Sequence, residues 1–353
     1  MVALFPRITL ETSLSVHRAR DNDDTTIAGL NEKLDRIFGL GLVNKDVVAV
    51  VPSWNRDEKA EATHLFEQVG GPVPVALATM ARMGTDTRPM LLGVLGDDRH
   101  ADDLQDWLKT SGVEAGHLRR APGMATSVLV VVIDARDGSR TVANHAAALP
   151  PLLLTAEEEA LLSRARLLHI DGRDLPAALA AARIVRAAGG LVSFDLGSMR
   201  PGRAALFPFC DILIASRRGG SGAFPDIADD PFEQTRRFLA AGVRRVVGVT
   251  LGNGGVVIGE PGREPVLLPA PPVAAVIDTN GAGDVFHGAF LRAWIVGLDA
   301  AGAATFAQTA AARSIERMGN GIGPDGTGVE VRRQGGLRRD TTTPSRDVRR
   351  QDA

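Results

Sequence analysis

Between residues 36 and 323, short apolar runs alternate with segments whose apolar positions recur at helical spacing. The runs Ile37–Val43, Met90–Leu95, Leu167–Ile170, Leu191–Phe194, Ile212–Ala215 and Val246–Val249 read as strands. Val73–Arg82, Ala101–Lys109, Ala156–Arg164, Ala177–Ala188 and Phe232–Ala240 read as the helices between them. Their ends carry stop and start signals. Thr155 with Glu158 makes a capping box, and Asp230-Pro231 places a cap before a proline at the first helical position. Gly189 and Gly242 stand where C-terminal caps belong. Continuous apolar strands separated by amphipathic helices imply a mostly parallel sheet covered on both faces. The class is α/β.

Two regions break the rhythm. Thr126–Ile133 and Arg140–Asn144 flank Ala135-Arg-Asp-Gly-Ser139, a hairpin pattern with Asp-Gly at its turn. Val47–Val51 and Ala62–Phe66 are strand-like with no helix between them. Together they suit a small antiparallel sheet beside the main one, placed as a lid. Residues 1–35 and 324–353 lack sustained periodicity. The second stretch holds seven Arg, five acids and almost no large apolar residue, the composition of a disordered tail.

Composition narrows the function classes. The chain has 353 residues, 40 basic and 42 acidic, for a net charge of −2. Such a balance provides no broad field for nucleic acid or an anionic membrane and suits a small-molecule partner. No apolar stretch reaches membrane-spanning length, and the N-terminus lacks the apolar core of a secretory signal. The single cysteine, Cys210, cannot form an internal disulfide, so a reducing, cytoplasmic setting is expected.

The most informative stretch is Asp278-Thr-Asn-Gly-Ala-Gly-Asp-Val-Phe-His-Gly-Ala-Phe290. Ala274–Ile277 reads as a strand entering a turn at Gly281, Ala282 and Gly283, and a helix starts near Asp284. Its apolar face is Phe286, Ala289, Phe290, Ala293 and Gly297. Small residues at a helix start let backbone N–H groups approach an anion, and the helix dipole favours it there. A carboxylate beside such a site can accept a proton from an attacking hydroxyl. Taken alone, Gly-Ala-Gly-Asp284 reads rather as a helix-capping pattern, since Asp is common near a helix N-terminus. His287, one turn on, reads as structural or as a neighbour of the anion, and the remaining histidines show no metal-ligand spacing. Cys210 reads as core.

The segment Asp278–Leu291 resembles the second signature of the ribokinase-like (PfkB) carbohydrate kinases, and the resemblance extends over most of the chain, from about Ile37 to Pro324. Gly39-Leu-Gly-Leu-Val-Asn-Lys-Asp46 is similar to the family's first strand and its Asn-x-Asp. Gly70-Gly71 with the following helix resembles the first signature, and Gly93-Val-Leu-Gly-Asp-Asp98 the strand end after it. Thr250-Leu-Gly-Asn-Gly-Gly255 resembles the nucleotide loop. The resemblance implies a three-layer αβα sandwich with a small β-sheet lid. The kinase domain would span 36–323 and the lid about 46–68 and 117–147. Asp284 would be the catalytic base and Gly281, Ala282 and Gly283 the anion hole. Asn44, Asp46, Gly70 and Gly71 would hold a sugar, and Ser216, Thr250, Gly252 and Gly255 would line ATP. Mg2+ would accompany ATP, Asp278 is the candidate for siting K+, and a homodimer through the lid is compatible with the family. A carboxylate such as Asp46 accepts two hydroxyl donors at once, which suits a polyol.

Two departures qualify this picture. Val75 stands where the first signature usually has Asn, which removes a polar sugar contact. Ser216-Arg-Arg-Gly219 replaces the family's Asn-x-x-Glu, which organises Mg2+ and phosphates; Arg217 and Arg218 could contact phosphate directly. Ser at this position, with Gly-Asp-Val-Phe-His-Gly-Ala, also occurs in some ketose-kinase branches, which inclines the reading toward a ketose or modified ketose. The alternatives are a nucleoside kinase and a catalytically impaired sugar-binding protein. No Lys follows a Gly, so a Walker A loop is absent. Gly219-Gly-Ser-Gly-Ala223 fails the hydrolase elbow, and Gly39-x-Gly41-x-x-Asn44 lacks the third glycine of a dinucleotide fingerprint.

Overall fold

The computed structural model describes residues 36–55, 57–84 and 88–323. The expected N-terminal extension (1–35) and tail (324–353) lie outside the described residues. The chain begins with β1 (Ile37–Leu40), β2 (Asn44–Val51), β3 (His64–Gly70), α1 (Pro72–Arg82), β4 (Met90–Gly96) and α2 (Arg99–Thr110). There follow β5 (Leu118–Ala121), β6 (Val128–Asp134), β7 (Arg140–His145), α3 (Ala156–Leu162), β8 (Leu167–Ile170) and α4 (Leu175–Ala187). Next come β9 (Leu191–Leu196), β10 (Ile212–Ser216), α5 (Arg217–Ala223), α6 (Pro231–Ala240), β11 (Val246–Thr250) and β12 (Val256–Gly259). The last elements are β13 (Val266–Leu268), α7 (Ala282–Ile295) and α8 (Ala300–Ser314).

Nine strands form one sheet in the order β13-β12-β11-β10-β9-β8-β1-β4-β5. The stretch from β11 to β5 is parallel, and β12 and β13 close one edge in antiparallel fashion. Side chains alternate between two cores. Ile37, Leu167, Ile212 and Ile214 face α1, α2, α7 and α8, whereas Phe38, Leu168, Phe194 and Leu213 face the helices of the opposite layer. The result is the expected three-layer sandwich. The caps also hold: Thr155 and Glu158 close a capping box, Asp230 accepts from the N–H groups of Phe232 and Glu233, and Gly189 and Gly242 adopt positive φ.

A second sheet, in the order β3-β2-β6-β7, packs Val48, Val50, Val131 and Ile133 against Met318. Its borders correct the expected lid range. Leu118–Ala121 falls within 117–147 but pairs in parallel with β4 and so belongs to the main sheet. The expected strand Ile37–Val43 is also divided. It ends at Leu40 because Asp171 Oδ2 captures the N–H of Leu42 at 2.8 Å, and the chain re-emerges at Asn44 in the other sheet. Ala274–Ile277 forms no strand. Its backbone is held instead by the end of α8 and the residues after it, with Ala274 N donating to Glu316 Oε1 (2.8 Å) and Ile277 N to Ile315 O (2.8 Å).

The helical layer opposite α7 depends on aromatic packing. Phe238 is fully buried and meets Phe207 and Phe224 edge-on, with ring centroids 5.3 and 4.8 Å apart. Phe238→Ala should therefore lower the free energy of unfolding by about 3–5 kcal/mol, read as a shift in urea midpoint at unchanged m-value. A shift below about 1 kcal/mol would show that this cluster does not organise the layer.

Candidate active site

Ligand sites in parallel sheets gather at the carboxyl ends of the strands, and the expected residues gather there. Asn44 and Asp46 open β2, and Ser216 and Thr250 end β10 and β11 as register neighbours. Gly281 caps α7 in the left-handed region (φ 76°) and begins the turn expected to hold an anion. The first amides of a helix have no intrahelical acceptor. A Cβ built on Gly283 would meet nothing within 4 Å, so this turn opens onto free space. Asp284, in the first turn, is half-buried at the same opening.

Asp46 is the hub of the acceptor side. Its Oδ1 accepts from Asn44 Nδ2 at 2.6 Å and its Oδ2 from Asn280 Nδ2 at 3.2 Å, which joins β2 to the anion turn. Asn44 Oδ1 is buried without a hydrogen-bond partner. Gly70 makes the geometry attainable, since a Cβ there would lie 2.1 Å from Asp46 Oδ1. Gly71, at φ 108°, would collide with the carbonyl of Leu42 if it carried a side chain. Val75 is buried in the core, with its Cγ1 3.9 Å from where a Cβ on Gly281 would lie.

Asp278 fastens the anion turn to the chain after α8. Its Oδ1 accepts from Asn280 N (2.7 Å) and its Oδ2 from Gly319 N (2.9 Å). From the small sheet, Arg140 Nη1 donates to both the carbonyl and the hydroxyl of Thr279 (3.1 Å each), and Thr279 Oγ1 donates to Gly138 O (3.0 Å). The β6–β7 hairpin is thereby tied to the turn that leads to Asp284.

On the nucleotide side, Ser216 Oγ donates to Gly197 O (2.8 Å) and accepts from Gly219 N (3.0 Å), capping α5. Gly252 and Gly255 both adopt positive φ in the loop after β11, and Gly255 lies against the carbonyl of Leu268. Arg217 and Arg218 are exposed. The Ser216–Gly219 segment supplies one hydroxyl, two guanidinium groups and no carboxylate, which does not fit a protein-held Mg2+. A magnesium ion here would be held by phosphate oxygens and water.

Two strand-end acids were not singled out from the sequence. Asp171 follows β8 and Asp195 lies in β9, each beside a buried apolar run, a placement that could have drawn attention to them in the sequence. Asp195 shares its face of β9 with Ser193 and, across the register, with His169 of β8. His287 reaches this face from α7, with Nε2 3.3 Å from Asp195 Oδ2, and His169 Nδ1 lies 3.2 Å from Ser193 Oγ. The histidines do therefore meet in space, contrary to their sequence spacing. One ligand-type atom from each of His169, Asp195 and His287 falls within 4.8 Å of the others. Burial pushes His287 down to about 3, so the ring is neutral. Cys210 is buried core, as expected.

Burial raises the carboxyls of Asp46, Asp171 and Asp278 above the usual carboxylate range. For Asp195 and Asp284 burial is again the main cause, and each is raised further by a neighbouring carboxylate: Asp171 acts on Asp195, and Asp195 on Asp284. Arg140 opposes the rise at Asp284.

The profile of the pfkB family carbohydrate kinases matches residues 35–325. The chain belongs to this family. It is a sugar kinase, a phosphotransferase by class. Similar proteins include the ribokinase of Schizosaccharomyces pombe, 24% identical over 295 residues that cover 80% of this chain and 92% of that protein. The ATP-dependent ribose-1-phosphate kinase of Halopiger xanaduensis is 27% identical over 299 residues, covering 83% and 96%. Among solved structures, Arabidopsis thaliana ribokinase complexed with ribose and ATP superposes with a TM-score of 0.68 at 22% identity, over 83% of this chain and 96% of that one. That likeness is one of fold. No helix among the described residues is long and apolar enough to cross a membrane.

Asp195 provides a test of the electrostatics. A carboxyl whose folded value is raised destabilises the protein once pH exceeds the unfolded value, about 4. This cost grows until pH passes the folded value. Asp195→Asn should be more stable than the parent at pH 8, and the difference should shrink as pH falls toward 4, in urea titrations across that range. A difference independent of pH would refute the assignment.

Proposed function

We propose that the chain transfers the γ-phosphoryl group of ATP to a hydroxyl of a sugar, with Asp284 as the base. The observation that carries this reading is the setting of Asp284. A carboxyl held above its usual range stands in the first turn of α7, beside an open space lined by amides without helical acceptors. Such a base takes the proton of the acceptor hydroxyl as that oxygen attacks the γ-phosphorus. The bond from the γ-phosphorus to the β–γ bridging oxygen breaks, and the electron pair leaves with ADP. The amides of Gly281, Ala282 and Gly283 hold the charge of the phosphoryl oxygens.

Asp46, together with the unpartnered Asn44 Oδ1, offers acceptors to sugar hydroxyls, with Gly70 and Gly71 giving access. The small sheet presents Asn44, Asp46, Gln68 and Arg140 around this region, which favours a polyol over a nucleoside base. Ser216, Thr250, Gly252 and Gly255 line the nucleotide. Mg2+ arrives with the ATP phosphates. No step is assigned to K+, because both oxygens of Asp278 are already engaged by amides. Closure of the small sheet over the acceptor would exclude water. A homodimer through this sheet would cover the exposed side chains of Leu65 and Val130.

Removing a positioned base costs about 10²–10⁴ in rate. Asp284→Asn should lose turnover by that factor in an ATP-consumption assay across ketoses, aldoses and phosphosugars, while ATP affinity stays within about twofold. Unchanged turnover would show that the base lies elsewhere. Sugar binding without ATP consumption by the parent chain on every acceptor would favour a binding protein.

A further inference from the structure

A second group of charged side chains lies beside the acceptor region and is not used by the transfer step. Asp171 and the buried Arg203 build it from two loops. Arg203 Nε donates to Gly172 O (3.1 Å) and its Nη1 to Ser198 O (2.7 Å), which clamps the loop after β8 to the loop after β9. Asp171 Oδ1 accepts from Arg173 N (2.8 Å) and fixes where that residue leaves the strand. Arg173 and Arg200 consequently emerge from adjacent, stapled loops. Both are exposed, and among the described residues neither guanidinium makes a hydrogen bond or an ion pair. Burial disfavours the charge of Arg173, and Arg200 is close enough to disfavour it further; Arg203, likewise lowered by burial and by both neighbours, adds a third positive charge to the same field.

Like charges held together by the fold in excess of the carboxylate beside them, here Asp171, form a receptor for an anion. The location indicates which anion. Asp171, which positions Arg173, also holds Leu42 N, two residues before Asn44, so Arg173 adjoins the acceptor side, while the loop of Arg200 starts at Gly197, whose carbonyl Ser216 holds. The nucleotide side has its own exposed arginines, Arg217 and Arg218, directly after Ser216. Resting on the kinase reading above, we propose that Arg173 and Arg200 form a subsite for a tetrahedral oxyanion, phosphate or sulfonate, carried by the acceptor sugar. The substrate class is then an anionic sugar, phosphorylated at a hydroxyl remote from its existing anion.

Calorimetry on the full chain tests this without turnover. The probes are fructose, fructose 6-phosphate, ribose, ribose 1-phosphate and inorganic tripolyphosphate. The parent should bind at least one phosphosugar about 10-fold more tightly than the matching neutral sugar. Arg173→Ala and Arg200→Ala should each weaken that phosphosugar by about 10-fold and leave the neutral sugar unchanged. The Lys variants should recover part of the loss. Circular dichroism confirms that each variant is folded, and a variant that does not fold is replaced by its Lys or Gln counterpart in the same comparison. No preference of the parent for either phosphosugar overturns the proposal. So does a loss confined to tripolyphosphate, which would assign the pair to the nucleotide. If Asp284→Asn leaves turnover intact, the kinase chemistry fails, while these binding results still decide the subsite.

Discussion

The site depends on keeping several carboxyl groups in a poorly solvated seam. Asp46, Asp171, Asp195 and Asp278 are all buried, and Asp284 stands half-buried among them. Desolvation of this kind is costly unless each oxygen finds donors. Each of two acids takes one local and one distant backbone donor: Arg173 and Leu42 for Asp171, Asn280 and Gly319 for Asp278. Asp46 finds Asn44 and Asn280 instead. Satisfying the acids is thus the same act as bringing the strand ends, the anion turn and the chain after α8 together. Burial, reinforced by the surplus of negative charge that remains, keeps Asp284 basic.

A polar centre of this type works against stability. The two apolar cores on either side of the main sheet supply the cohesion that lets it persist. The helices over the site contribute small and aromatic side chains, such as Ala289, Phe286 and Phe290. Their packing leaves only the first turn of α7 to face the opening. Asp46, Asp171 and Asp278 stand near strand ends and in loops, where functional groups are commonly found on a rigid scaffold.

Much of this was legible in the sequence, for identifiable reasons. The central strands and the caps at Thr155 and Asp230 follow from local rules of burial and hydrogen bonding. The turn Gly281–Gly283 with Asp284 was marked by its spacing. What escaped depends on distant partners. The end of β1 is set by Asp171, 129 residues away. The short strands β5, β12 and β13 have too few residues to show a period. Ala274–Ile277 looks like a strand but has its amides taken by Glu316 and Ile315. The meeting of His169, Asp195 and His287 follows only from register between β8 and β9 and the placement of α7 over them.

The break after Leu40 has a mechanical consequence. Three residues, Gly41, Leu42 and Val43, carry the chain from an interior strand of one sheet directly into an interior strand of another. Asn44 and Asp46 come immediately after this joint, so they sit near its fulcrum and not at the far end of the small sheet. A rotation of that sheet would sweep its outer strands through a wide arc while shifting Asn44 and Asp46 only slightly. The architecture separates access from alignment.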